Sequence, residues 1–161
     1  MRNALRRGLL LLLAAGVLAV PAVAGARQLG DLSSSPDGGD ARRSLQVTGL
    51  ANDGRLVQFD AANPGRTRSI GRVKGLAGDQ SLVGIDYRVQ DGKLYGVGNA
   101  GGVYTLSTGD ARATKVSQLT VALSGTSFGV DFNPAANRLR VVSNTGQNLR
   151  HNLDDAAATA P

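Results

Sequence analysis

Cysteine and tryptophan are missing from the 161 residues, and histidine occurs once, as His151. Without cysteine there is no disulfide scaffold, no zinc–thiolate or iron–sulfur site and no thiol catalysis, and one histidine rules out histidine-rich metal centres. Three tyrosines and three phenylalanines are the whole aromatic complement. No stretch after Leu45 carries a long enough i, i+3, i+4, i+7 apolar stripe for a helix. The length leaves room for one modest domain. No residue pattern assigns a reaction or a ligand, so the sequence speaks to architecture, compartment and a candidate surface.

The first 24 residues read as an export signal. Arg2, Arg6 and Arg7 form a basic start, Leu9 to Val20 an apolar run, and Ala22-Val23-Ala24 an A-x-A cleavage site. The run is shorter than the roughly 20 residues that span a bilayer, which argues against a permanent membrane anchor. The expected product is secreted, or periplasmic where the source has an outer membrane, and starts near Gly25. The net charge of +6 is partly a property of the signal, because three of the 18 basic residues and none of the 12 acidic ones lie there, leaving +3. The other arginines form no basic run with interleaved aromatics, so nucleic acid is not an expected partner. Residues 25–44, with Ser33-Ser34-Ser35-Pro36-Asp37-Gly38-Gly39-Asp40, read as a disordered polar tether.

From Leu45 onward the chain repeats. The triplets Asn52-Asp53-Gly54, Asn99-Ala100-Gly101 and Asn144-Thr145-Gly146 are spaced by 47 and 45 residues. Their surroundings keep register: Gly84-Ile85-Asp86-Tyr87 precedes Gly129-Val130-Asp131-Phe132 by 45, and Thr67, Thr114 and Thr159 repeat both steps. A period near 45 with four short strand-like stretches is that of a β-propeller blade, a four-stranded antiparallel meander. In the second repeat, strand a is expected over Leu82 to Tyr87, b over Lys93 to Val97, c over Val103 to Leu106 and d over Thr114 to Leu119. The order over 45–161 is then b-c-d, a-b-c-d, a-b-c. This is an all-β, propeller-like and incomplete array of about two and a half blades, whereas propellers close with at least about four. Open sheet edges of this kind invite self-association.

The strings Leu82-Val83-Gly84-Ile85-Asp86-Tyr87, Gly92-Lys93-Leu94-Tyr95-Gly96, Leu123-Ser124-Gly125-Thr126-Ser127-Phe128-Gly129-Val130-Asp131-Phe132-Asn133-Pro134 and Asn137-Arg138-Leu139-Arg140-Val141-Val142-Ser143-Asn144-Thr145-Gly146-Gln147-Asn148-Leu149-Arg150 resemble the bacterial secreted family known as domain of unknown function 4394. The resemblance covers Leu45 to Asp155 and implies an exported, repeat-built, propeller-like domain with no assigned activity. Family members look longer, which makes this chain a partial-length member.

Gly125-Thr126-Ser127-Phe128-Gly129 satisfies G-x-S-x-G, with Asp131 and His151 following in hydrolase order. That motif needs a strand-to-helix elbow, whereas the repeat register places Ser127 at a strand a. No catalytic residue is therefore assigned. His151 falls at the position of Phe59 and Leu106 and reads as a packed or edge residue, with contact to a ligand as the alternative. Asp86 and Asp131 interrupt apolar strands a, next to a propeller's central channel. A buried carboxylate there accepts hydrogen bonds from a neighbouring blade; alternatively, the carboxylates form a ring that binds a cation such as calcium. Tyr87, Tyr95 and Tyr104 could stack a sugar, although core packing is the commoner fate of such residues.

The meander puts the b–c and d–a turns on one rim. Asn52, Asp79, Asn99, Ser124, Thr126 and Asn144 thereby share one polar, glycine-rich face suited to binding. Turn chemistry alone also accounts for the asparagines. Three functional readings follow: an exported non-catalytic module that binds an extracellular ligand or protein, an extracellular cation-dependent hydrolase or lactonase, and a truncated fragment without function.

Overall fold

Turns rich in Gly, Asn and Asp separate short apolar stretches after Leu45, and most of these stretches are strands. The computed structural model describes residues 44–154 and 159–160. The export signal over 1–24 and all of the tether except Ser44 lie outside the described residues. Ten strands and no helix occur among the described residues. A first sheet pairs β1 (Gln46–Leu50), β2 (Arg55–Asp60) and β3 (Arg68–Arg72); a second pairs β4 (Leu82–Tyr87), β5 (Leu94–Gly98), β6 (Gly102–Leu106) and β7 (Ala113–Gln118). The third pairs β8 (Phe128–Asn133), β9 (Arg138–Ser143) and β10 (Asn148–His151). Every pair of neighbouring strands is antiparallel and consecutive in the chain.

These are the b-c-d, a-b-c-d and a-b-c units of the repeat, an all-β, propeller-like and incomplete arrangement. The repeat extends to irregularities: β3 and β7 each hold an extra residue, opposite Leu56/Val57 and Val103/Tyr104, pairs 47 residues apart. Such bulges increase local twist, and their recurrence gives the first two sheets the same shape.

One expectation changes at the C-terminal end. The repeat left no room for a fourth strand in the third sheet, which would bare the edge of β10. Instead Arg150 and Ala160 exchange both backbone hydrogen bonds, at 2.7 and 2.9 Å, so the start of a strand d covers that edge at one position. Pairing needs only one residue with a free N–H and C=O, which Ala160 supplies.

Two apolar layers lie between successive sheets. Leu56 of the first sheet packs with Leu94, Tyr104 and Leu106 of the second. Tyr95, Val97 and Val103, on the opposite face of the second, pack with Val130, Phe132, Leu139, Val141 and Leu149 of the third. Strand alternation produces both faces: Tyr104 and Leu106 point one way and Val103 the other. Full burial of each such side chain contributes about 1.5–3 kcal/mol. At the β4–β8 contact the backbones approach so closely that a Cβ on Gly84 would lie 2.5 Å from Cγ2 of Val130, so this position requires glycine.

Candidate functional site

Three Asn-x-Gly turns connect β1 to β2, β5 to β6 and β9 to β10, and two of them hold the loop that enters strand a of the same sheet. Asn99 Oδ1 accepts the N–H groups of Gln80 at 2.8 Å and Ser81 at 3.2 Å. Asn144 Oδ1 accepts those of Thr126 at 3.0 Å and Ser127 at 3.3 Å, while its Nδ2 donates to Thr126 Oγ1 at 3.1 Å. The glycine of each triplet has positive φ, at 79°, 84° and 85°, which keeps the turn tight enough to aim the amide. The b–c turn and the loop into strand a therefore do share one rim.

Their polar atoms, however, largely face each other. Asp79 is tucked against Gly98 and Gly102, and accepts hydrogen bonds from Ala100 N at 2.5 Å and from the Tyr104 hydroxyl at 2.5 Å. Ser124 contributes backbone: its N–H donates to Gln147 Oε1 at 2.9 Å and its carbonyl accepts from Thr145 Oγ1 at 2.9 Å. Asn52 is exposed, and its side chain has no hydrogen-bond partner among the described residues. A shallow depression of about 460 Å³, lined by Lys93, Thr105, Ser107 and Arg112 among others, lies on the opposite rim, at the a–b and c–d turns of the second sheet.

Asp86 and Asp131, equivalent by repeat, differ in surroundings. Asp86 Oδ2 accepts the N–H of Phe132, in the neighbouring sheet, at 2.7 Å. Burial raises its pKa above the usual carboxylate value; the N–H groups of Phe132 and Tyr87 pull the other way, and the charge of Asp131 adds to the rise. Asp131 is exposed and its carboxylate has no hydrogen-bond or ion-pair partner among the described residues. The described residues include no group of three or more His, Asp or Glu positioned to hold a metal.

Ser127 lies immediately before β8, and no helix follows it among the described residues, so the G-x-S-x-G string forms no elbow. His151 is 2 % exposed. Its Nε2 is 2.7 Å from Ser117 Oγ in the second sheet, and its Nδ1 is 3.2 Å from Thr159 Oγ1. Thr159 and Thr120 in turn bond each other reciprocally, hydroxyl to backbone N–H, at 2.9 and 2.8 Å. Burial lowers the pKa of His151, which favours the neutral ring. Tyr95 and Tyr104 are buried, which removes them from any stacking platform. Tyr87 is 44 % exposed, with its hydroxyl 3.1 Å from Thr48 Oγ1.

A polar cluster on the opposite rim has no signature in the repeat. Buried Arg88 pairs with Asp154 and, at 3.5 Å, with Asp91, and donates to Asn137 Oδ1 at 3.0 Å. The Tyr95 hydroxyl donates to Asp91 at 2.7 Å. The cluster joins turns of the second and third sheets. Arg88 corresponds by the repeat to Asn133, so the register that exposed the asparagines gave no signal here.

No curated protein and no solved structure matches the chain. A family match extends over residues 55–160, from the second strand of the first sheet to the residue that pairs with Arg150. The second and third sheets with their Asn-x-Gly turns and two strands of the first sheet fall within the matched region, and the chain belongs to the family described as "Domain of unknown function (DUF4394)".

Proposed function

We propose that the chain is exported and acts as a non-catalytic interaction module built as part of a β-propeller. One observation carries this reading: the side chains nearest to chemistry work on the fold itself. Asn99, Asn144 and Asp79 hold loops, Asp86 holds the next sheet, and His151 bridges two sheets through Ser117. What such a scaffold offers is surface, namely rigid sheet faces and edges.

The test is a turnover panel of esters and lactones with the purified chain, with and without about 1 mM calcium, a concentration suited to weak extracellular sites. The expected result is no rate above buffer. Turnover that disappears in Asp86→Asn or Asp131→Asn would establish a cation-dependent hydrolase instead. N-terminal sequencing of the secreted product, expected to start near Gly25, tests the export half.

A further inference from the structure

The polar side chains of the Asn-x-Gly rim work on the fold, whereas those of the depression on the opposite rim largely do not. Lys93, Ser107 and Arg112 form a row across the second sheet, one residue beyond its strands: Leu94 lies opposite Leu106, and the Ser107 N–H donates to the Arg112 carbonyl at 2.9 Å. Strand alternation puts Tyr95, Thr105 and Thr114 in the next row of the same face. Lys93, Thr105, Ser107, Thr108, Arg112 and Thr114 all line the depression of about 460 Å³. The second sheet has a neighbour on each face, and the whole lining belongs to it and its turns.

The charge of the lining has one sign. Lys93 and Arg112 carry it, and both are exposed. Asp91 accepts the backbone N–H of Lys93 at 3.0 Å, but its other oxygen is taken by the Tyr95 hydroxyl at 2.7 Å and by Arg88 at 3.5 Å. The Lys93 ammonium has no ion-pair partner among the described residues. Arg112 approaches Asp110 through Nε at 3.7 Å, and Asp110 is shared with Lys74 at 3.2 Å. Thr105 Oγ1 reaches only the Thr114 carbonyl, at 3.5 Å, and the hydroxyls of Thr108 and Thr114 have no partner among the described residues. The fold does not require this set. By the repeat, Gln46, Gln58, Asp60 and Gly65 of the first sheet and its turns stand for Lys93, Thr105, Ser107 and Arg112, an acid and no cation.

We propose that the depression binds a small hydroxyl-rich anion, a monosaccharide that carries a carboxylate or a phosphate. The inference rests on the interaction-module reading and names a ligand class and its place. Neighbouring strands are about 5 Å apart, so Lys93 and Arg112 leave the backbone about 10 Å from each other, on side chains long enough to close on one anionic group. Arg112 suits bidentate pairing with a carboxylate or phosphate, and Lys93 adds a second charge. Each threonine hydroxyl both donates and accepts, which matches sugar hydroxyls. A bare inorganic anion uses the two cations and leaves the threonines idle.

The experiment follows backbone amide resonances of the isotope-labelled chain as four probes are added in turn: glucuronate, glucose phosphorylated on its exocyclic hydroxyl, glucose, and inorganic phosphate. Glucuronate or the phosphorylated sugar should bind at about 1 mM and move the amides of Lys93, Thr105, Ser107 and Arg112. The tighter of the two identifies the anionic group. Glucose and inorganic phosphate should each bind roughly tenfold more weakly, and raising NaCl from about 50 to about 300 mM should weaken the anionic sugar. Lys93→Gln/Arg112→Gln should weaken it roughly tenfold, while Arg66→Gln, in a loop of the first sheet, should leave it unchanged. Should the double variant fail to fold, Lys93→Gln alone carries the test, with about a threefold loss. Three outcomes overturn the proposal: no shift at these amides with either anionic sugar at about 20 mM, equal binding of glucose, or binding indifferent to Lys93 and Arg112. Inorganic phosphate binding as tightly as the anionic sugars also overturns it, in favour of an adventitious ion only. The titration reads binding and not turnover, so its failure leaves the non-catalytic reading to its own assay.

Discussion

Replacing Asp86 by alanine and by asparagine separates two roles of one carboxylate. Alanine removes the acceptor of the Phe132 N–H, which lies inside the contact between β4 and β8. A buried donor left without a partner costs about 1–3 kcal/mol. At about 4 °C per kcal/mol for a domain of this size, the expected fall in Tm is roughly 4–12 °C. Asparagine keeps an acceptor oxygen and discards the charge. The pKa of Asp86 is raised from 3.8, so the folded state holds the proton more tightly than the unfolded chain. The group's stabilising contribution is then complete below 3.8 and is lost as pH rises through the folded value. At pH 7 Asp86→Asn is therefore expected within about 0.5 kcal/mol of the parent, or above it, with the carboxylate's pH slope gone. Urea titrations of both variants at pH 4 and pH 7, followed by circular dichroism, measure these differences. Destabilisation by asparagine as large as that by alanine would refute the reasoning, because it would mean that the negative charge, and with it a bound cation, holds the sheets together.

Asp131→Asn should change stability by less than about 0.5 kcal/mol, since the exposed carboxylate has no partner among the described residues; a loss above about 1 kcal/mol in the same titration contradicts that placement. Gly84→Ala should cost about 1–3 kcal/mol by overpacking against Val130, measurable as a lowered thermal midpoint, whereas an unchanged midpoint would show that the sheets can separate freely. Alanine at Asn99 or Asn144 should cost about 1 kcal/mol each and Asn52→Ala almost nothing; three equal effects in chemical denaturation would mean that the loop clamps are not what these residues supply. Because burial lowers the pKa of His151 from 6.5, stability should be full above 6.5 and decline as pH falls from there toward the folded value, and His151→Leu should flatten that portion of the curve. An unaltered pH profile in the leucine variant would transfer the dependence to another group.

Much of the fold could be read from the sequence because the determinants are local. Asn-x-Gly and Asp-Gly mark turns through positive φ, and five-residue apolar stretches between them leave little choice but short antiparallel strands. Strand a of the second repeat falls over Leu82 to Tyr87 as the repeat predicts, as β4; β5 and β7 are displaced by one residue and β6 begins one residue earlier, within ordinary variation at strand ends. Tertiary structure alone decided which members of an equivalent set do which work. Asp86 and Asp131 are the same letter in the same repeat position, yet one meets the N–H of a neighbouring sheet and the other meets solvent. Asn52, Asn99 and Asn144 divide in the same way: Asn99 and Asn144 each clamp a loop, whereas the side chain of Asn52 has no partner among the described residues. His151 stands where its equivalents are Phe59 and Leu106, and only the approach of Ser117 and Thr159 from elsewhere in the chain gives a buried imidazole its partners. A repeat determines strands and turns through short-range backbone preferences; the partner of a polar side chain is set by what lies across the gap between sheets, which no single period contains.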